Sequence, residues 1–158
     1  MPRRSPVDAQ KFQQLSPSCF SARGFFGNDT RELEDIIADD QATLQRLGIT
    51  MDLLVQALRS VYHAALQTEG EWADIAPGVR AECLACRGRT PSPFPGEGTF
   101  PKHQVRVIRE KDAQSFTITP LAIHLIEHHG FFQGVGSPFR IDPGMAADML
   151  GLITKNKR

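Results

Sequence analysis

Cysteine is scarce. Cys19, Cys83 and Cys86 are the only three, and an odd number argues against a disulfide scaffold. Long apolar runs are missing too, which excludes a membrane-spanning helix. The opening Met1-Pro2-Arg3-Arg4-Ser5-Pro6-Val7-Asp8 is not followed by an apolar stretch, so a secretory leader is not expected. Net charge is absent, with 18 Lys+Arg balanced by 18 Asp+Glu. Global electrostatics therefore names no partner. Aromatic content rests on 10 Phe beside a single Trp and a single Tyr, so aromatic packing must be built from Phe. No internal repeat appears. These absences leave a chain that suits one globular domain in a reducing cytoplasm. The expected body is 28–151, with a partly ordered tail at 1–27 and a solvated one at 152–158.

What charge there is lies unevenly. Residues 29–74 carry ten acidic and three basic side chains, whereas 78–111 carry seven basic and three acidic. The two segments can neutralise each other by packing, or the second can face an anionic partner. Arg87, Arg89, Arg106 and Arg140 are the candidates for such contacts. Cys19 stands alone in the first tail and reads as a spare thiol. Phe25 and Phe26 can pin the end of that tail to the core.

The first half reads as a helical hairpin. Asp29 and Glu32 have capping-box spacing, and Leu33, Ile36, Ile37, Leu44 and Leu47 follow one helical face up to Gly48. Thr50 caps a second helix. Leu53, Leu54, Ala57, Leu58, Val61, Tyr62 and Ala65 form its stripe to about Thr68. A Gly-Ile-Thr junction between two helices is compatible with helix-turn-helix DNA reading. The outward side of the second helix offers one arginine, Arg59, which is a poor phosphate-binding surface. Nucleic acid is therefore not the favoured partner. Trp72 and Ile75 are expected to close the hairpin's core, and Pro77-Gly78 marks a turn.

Residues 87–102 hold four prolines and three glycines and read as a long loop, a feature that is often functional. Val105–Arg109 and Ser115–Ile118 alternate as two strands of a hairpin. Thr119 caps a helix with Pro120 at its first position and Gly130 as its stop. The next stretch, 131–141, is rich in Gly and Phe and reads as an ordered loop with a short strand at 139–141. Asp142 and Pro143 then start a last helix running to about Leu150. The fold class is α+β: an N-terminal helical hairpin, a short antiparallel β-hairpin, a buried His-bearing helix and a short C-terminal helix.

The His-bearing helix carries the chemistry. Leu121, Ile123, Leu125 and Ile126 make it apolar all round and therefore buried. His124, Glu127 and His128 must then find partners. Residues four apart share a helix face, so His124 and His128 are expected to aim at one point. Cys83 and Cys86 form a Cys-x-x-Cys pair followed by Arg87 and Gly88, which resembles a zinc knuckle. Paired cysteines, a hairpin and a helix with two histidines follow zinc-finger logic. Cys83, Cys86, His124 and His128 are accordingly the expected ligands of one zinc ion, with His103 and His129 as alternatives. Two thiolates also balance the ion's charge. A redox dithiol is less suited, for lack of a strand-to-helix context around the pair.

His124-Leu125-Ile126-Glu127-His128 also resembles the inverted zinc-peptidase signature H-x-x-E-H. That resemblance covers five residues. It implies zinc on the two histidines and water activated by Glu127, and it requires a further carboxylate ligand downstream, where only Asp142 and Asp148 remain. The expected function is a zinc-stabilised binding or regulatory module, with an unidentified protein or anionic ligand as partner. Metal-dependent hydrolysis through His124, Glu127 and His128, and nucleic-acid binding through 78–111, are the alternatives.

Overall fold

The computed structural model describes residues 23–68 and 70–153. Cys19 and most of each expected tail lie outside the described residues. The architecture is α+β, in the order α1 (Arg23–Phe26), α2 (Leu33–Leu47), α3 (Met51–Leu66), β1 (Ala73–Ala76), β2 (Val79–Leu84), β3 (Arg89–Pro91), β4 (Thr99–Pro101), β5 (Gln104–Arg109), β6 (Ser115–Ile118), α4 (Pro120–His129) and α5 (Pro143–Met149). A four-stranded antiparallel sheet has the order β1-β2-β5-β6, and β3 and β4 form a separate two-stranded hairpin. Among the described residues no helix is long and apolar enough to cross a membrane.

The caps follow local chemistry. The side chains of Thr50, Thr119 and Asp142 each accept the backbone N–H three residues on, from Leu53, Ala122 and Met145. Gly48 and Gly130 end α2 and α4 in the left-handed conformation. The expected capping box is not formed. Glu32 holds the N-cap position of α2 without a side-chain cap bond. Asp29 turns inward instead, because stronger donors reach it: Arg31 Nε and Nη2 at 2.8 and 2.7 Å and the Val135 N–H at 3.1 Å.

The sheet is larger than the expected hairpin. β5 and β6 pair as foreseen, with Val107 opposite Phe116, but β2 adds on the other side with Cys83 opposite Val105. Val79 and Ala81 are buried along β2, Cys83 continues their face half-buried against the core, and Arg80 and Glu82 between them are half-buried. Trp72 does not close the helical hairpin. It stands partly exposed beside β1, with the guanidinium carbon of Arg80 at 5.1 Å from its ring centroid and that of Arg106 at 5.9 Å. Residues 139–141 form no strand, although Ile141 is buried.

Two apolar clusters form. The larger places Leu54, Val55, Leu58 and Val61 of α3 with Val105 and Val107 of β5 and with Ala122, Ile123 and Ile126 of α4. The smaller gathers Phe25, Phe26, Ile36, Phe94, Leu121, Leu125 and Phe131. α4 thus has core on two sides. Phe26 and Phe131 meet edge to face at 6.0 Å, so the Phe pair does fasten residues 25–26 to the body.

The turn after α1 is clamped by the Phe/Gly-rich loop. Asn28 donates to Val135 O at 2.9 Å, and Gly134 donates to Phe25 O at 2.7 Å. Gly27 has φ +59, and a Cβ there would lie 2.3 Å from Ser137 N and 2.4 Å from Gly136 C. Gly48 has φ +71 with nothing within 4 Å. Gly48→Ala should therefore cost only the left-handed penalty, about 1–2 kcal/mol. Gly27→Ala should cost about 2–5 kcal/mol, because backbone must move as well. Denaturant unfolding of both variants checks the ordering, and equal losses would contradict it.

Asp29 supplies an acid-sensitive link in the same clamp. The Arg31 hydrogen bond, aided by the Val135 and Arg31 N–H groups, outweighs burial and brings its carboxyl from 3.8 down to about 2. The unfolded chain therefore takes up this proton first as the pH falls. The contribution is complete above the ordinary value and disappears between about 3.8 and about 2. Asp29→Asn should remove that part of the acid transition and cost about 1–3 kcal/mol at neutral pH. Thermal melts across the acid range read both effects.

Candidate metal centre

The centre is built where the β3–β4 hairpin meets α4. Gly96 (φ +83) and Gly98 (φ +82) flank Glu97 in the left-handed region, and Ser92 N–H closes the turn on Gly98 O at 3.1 Å. Only glycine takes such angles without cost, so this spacing turns the Glu97 carboxylate towards α4. Ser92 Oγ donates to Glu97 Oε1 at 2.7 Å and accepts from Phe94 N–H.

Two imidazoles receive that carboxylate. His124 Nε2 lies 2.7 Å from Glu97 Oε1, and His129 Nε2 lies 2.7 Å from Glu97 Oε2. An ionised carboxylate only accepts, so both rings present Nε2–H to it in the metal-free protein. Phe94 stacks on His129 with centroids 3.7 Å apart, and Phe100 tilts against His124 at 4.6 Å. These contacts hold the rings in place. His124, His129 and Glu97 are 17, 20 and 23 % exposed, so the site is sheltered yet open at one side. Burial pushes the Glu97 carboxyl up, but the hydrogen bonds from His124, Ser92 and His129 prevail and bring it to about 2.

Among the described residues, Glu97, His124 and His129 form the group whose potential ligand atoms all lie within 4.8 Å of one another. The donor set suits a divalent transition metal. Two neutral imidazoles and a carboxylate bind zinc at about 2.0–2.2 Å, and three protein ligands leave a coordination position open. Exchange of the two Nε2 protons for one ion would give the carboxylate a stronger partner than either hydrogen bond does.

Of the four side chains expected from the sequence to share an ion, only His124 belongs to this group. His128 is more than half exposed, its ring 4.6 Å from that of His124 and its Nε2 3.6 Å from Glu127 Oε1. His129 takes the inner place because Leu121 and Leu125 face the Phe94 cluster and His129 continues that stripe at helical spacing. Cys83 packs against the main core from β2. Burial, and then the nearby Cys86, push its thiol up. Cys86 follows the end of β2, where its N–H donates to His103 Nδ1 at 3.1 Å. His103 is thus drawn to the cysteine turn. Sequence spacing missed Glu97, a lone carboxylate in a Pro/Gly loop, although the glycines on both sides of it were a signal.

Glu127 has a different partner. Arg59 of α3 binds both of its carboxylate oxygens, and this pairing holds the carboxyl below its ordinary value. The water-activating role implied by H-x-x-E-H would require that carboxylate to be released. No family model, no curated protein and no solved structure matches this chain, so the centre is defined by its own geometry.

Proposed function

We propose that this is a metal-binding module in which Glu97, His124 and His129 hold one zinc ion. The metal fastens the β3–β4 hairpin to α4, and its remaining position takes water or an oxygen or nitrogen donor from a partner. The observation that carries the reading is the single carboxylate bridging two imidazoles at 2.7 Å on both sides. Zinc suits this set because nitrogen and oxygen ligands meet its preferences without redox demands.

Elemental analysis of the full chain purified without added metal tests the proposal. Zinc near one equivalent, lost on chelation together with thermal stability, is the expected result. A metal-free protein whose melting does not respond to added zinc would end it. Glu127→Gln should leave metal content unchanged, because Arg59 already occupies that carboxylate.

A hydrolytic reading is favoured by one feature, the open position that three ligands leave. It predicts metal-dependent turnover of ester or peptide probes that vanishes with Glu97→Gln and survives Glu127→Gln. For nucleic acid, part of the charge of segment 78–111 is already engaged. Arg80 pairs with Glu110, Arg109 with Asp112 and Asp148, and Arg89 is bonded to Thr99. Arg140 points inward to Asp40, which removes it from the residues expected to meet an anionic partner.

A further inference from the structure

A second site lies beside the β3–β4 hairpin, where Thr90 and Pro101 line it. It is a cavity of about 290 Å³ walled by Phe25, Pro101, Leu121 and Phe139. Its volume is near the lower end for small-molecule sites. Gln133, Lys102 and Cys86 also line it.

Gln133 is the unusual member. It has φ +73, one of two non-glycine residues in that region among those described, and it is only 3 % exposed. Strained backbone of this kind concentrates at ligand clamps. Its carbonyl accepts Arg140 Nη1 at 2.7 Å, and its Oε1 accepts Ser137 Oγ at 2.6 Å. Those bonds hold the residue in place and use only its acceptors. Among the described residues neither its amide nitrogen nor its backbone N–H has a partner. Gln133 is among the residues that line the cavity. Should the amide be flipped, Ser137 would take the nitrogen and the backbone N–H would remain the free donor. Lys102 is exposed and has no acidic partner among the described residues.

Apolar walls, an unused buried donor and one free cation define a ligand. We propose that this cavity binds a small organic acid with an apolar body, its carboxylate held between a Gln133 N–H donor and the Lys102 ammonium. One cation and neutral donors match a single negative charge. The site uses none of the proposed metal ligands Glu97, His124 and His129.

Phenylacetate is the probe, titrated into the full chain, with its neutral amide phenylacetamide as control. Binding is read by calorimetry and by the rate of iodoacetamide alkylation at Cys86, mapped by mass spectrometry. The expected result is saturable heat and slowed alkylation of Cys86, with Cys83 unaffected. Phenylacetamide should bind more weakly, and Lys102→Glu should weaken phenylacetate by about tenfold, as loss of a charged contact implies. Gln133→Glu places a like charge beside the bound carboxylate and should weaken binding likewise, whichever N–H donates. If that variant misfolds, the surface substitution Lys102→Glu decides alone. No saturable heat, equal protection by the two probes, or full affinity in Lys102→Glu would each overturn the assignment.

Discussion

Glu97→Gln should empty the metal centre and loosen the β3–β4 hairpin together. Metal loss is the larger effect, since even an outer-shell partner of a ligand is worth roughly 10–100-fold in affinity and Glu97 is placed to ligate directly. A second, smaller effect is expected without any metal. The glutamine offers one carbonyl oxygen where two oxygens now serve His124 and His129. One imidazole loses its acceptor, at a cost of about 1–3 kcal/mol. Hydrogen exchange at Ser92, whose N–H closes the turn on Gly98 O, should quicken in the variant and in the chelated wild type. Zinc content equal to wild type in Glu97→Gln would remove this carboxylate from the ligand set. His129→Ala tests the same centre from the helix, and should also release Phe94 from its stacking partner.

Arg140→Met should cost about 3–5 kcal/mol, the penalty for stranding a buried charge. Asp40 on α2 is 4 % exposed at its side chain and Arg140 15 %. The two form paired bonds of 2.9 Å, Nη1 to Oδ2 and Nη2 to Oδ1, and Nη1 also donates to Gln133 O at 2.7 Å. Removal of the guanidinium leaves a carboxylate in the interior with no cation. Melting should fall on the order of 10 °C for a chain of this size. The double variant Asp40→Leu with Arg140→Met should recover most of the loss, because an apolar pair of similar volume is tolerated there. Chemical denaturation of the single and double variants gives the coupling directly, and strict additivity would show that the pair is not the cause. The same experiment bears on the cavity, since Arg140 holds the Gln133 carbonyl.

Much of the local structure was legible because its causes are local. Thr50, Thr119-Pro120 and Asp142-Pro143 each start a helix through a side-chain oxygen reaching an N–H three residues on, and Gly48 and Gly130 end one through a left-handed angle. Those signals act within one turn of chain. β2 is ambiguous in sequence: Val79, Ala81 and Cys83 alternate with Arg80 and Glu82, but the same stretch carries the Cys-x-x-Cys spacing of a metal knuckle. β3 and β4 lay inside a Pro/Gly stretch whose composition reads as loop. Asp29 was assigned to a cap, but Val135 reaches it across 106 residues, and no local rule contains that partner.

Residues 119–130 by themselves determined a capped, buried helix crowded with histidines, and the interval 87–102 determined a turn-rich excursion. Which histidine would matter was decided in three dimensions. His124 and His129 stand five apart, one turn plus about 140° of rotation, so periodicity never pairs them. They converge because Phe94 and Phe100 seat the hairpin against α4 and the glycines beside Glu97 turn its carboxylate between the two rings. Helix caps depend on neighbours in sequence, whereas a ligand set depends on which distant surfaces the apolar clusters bring into contact.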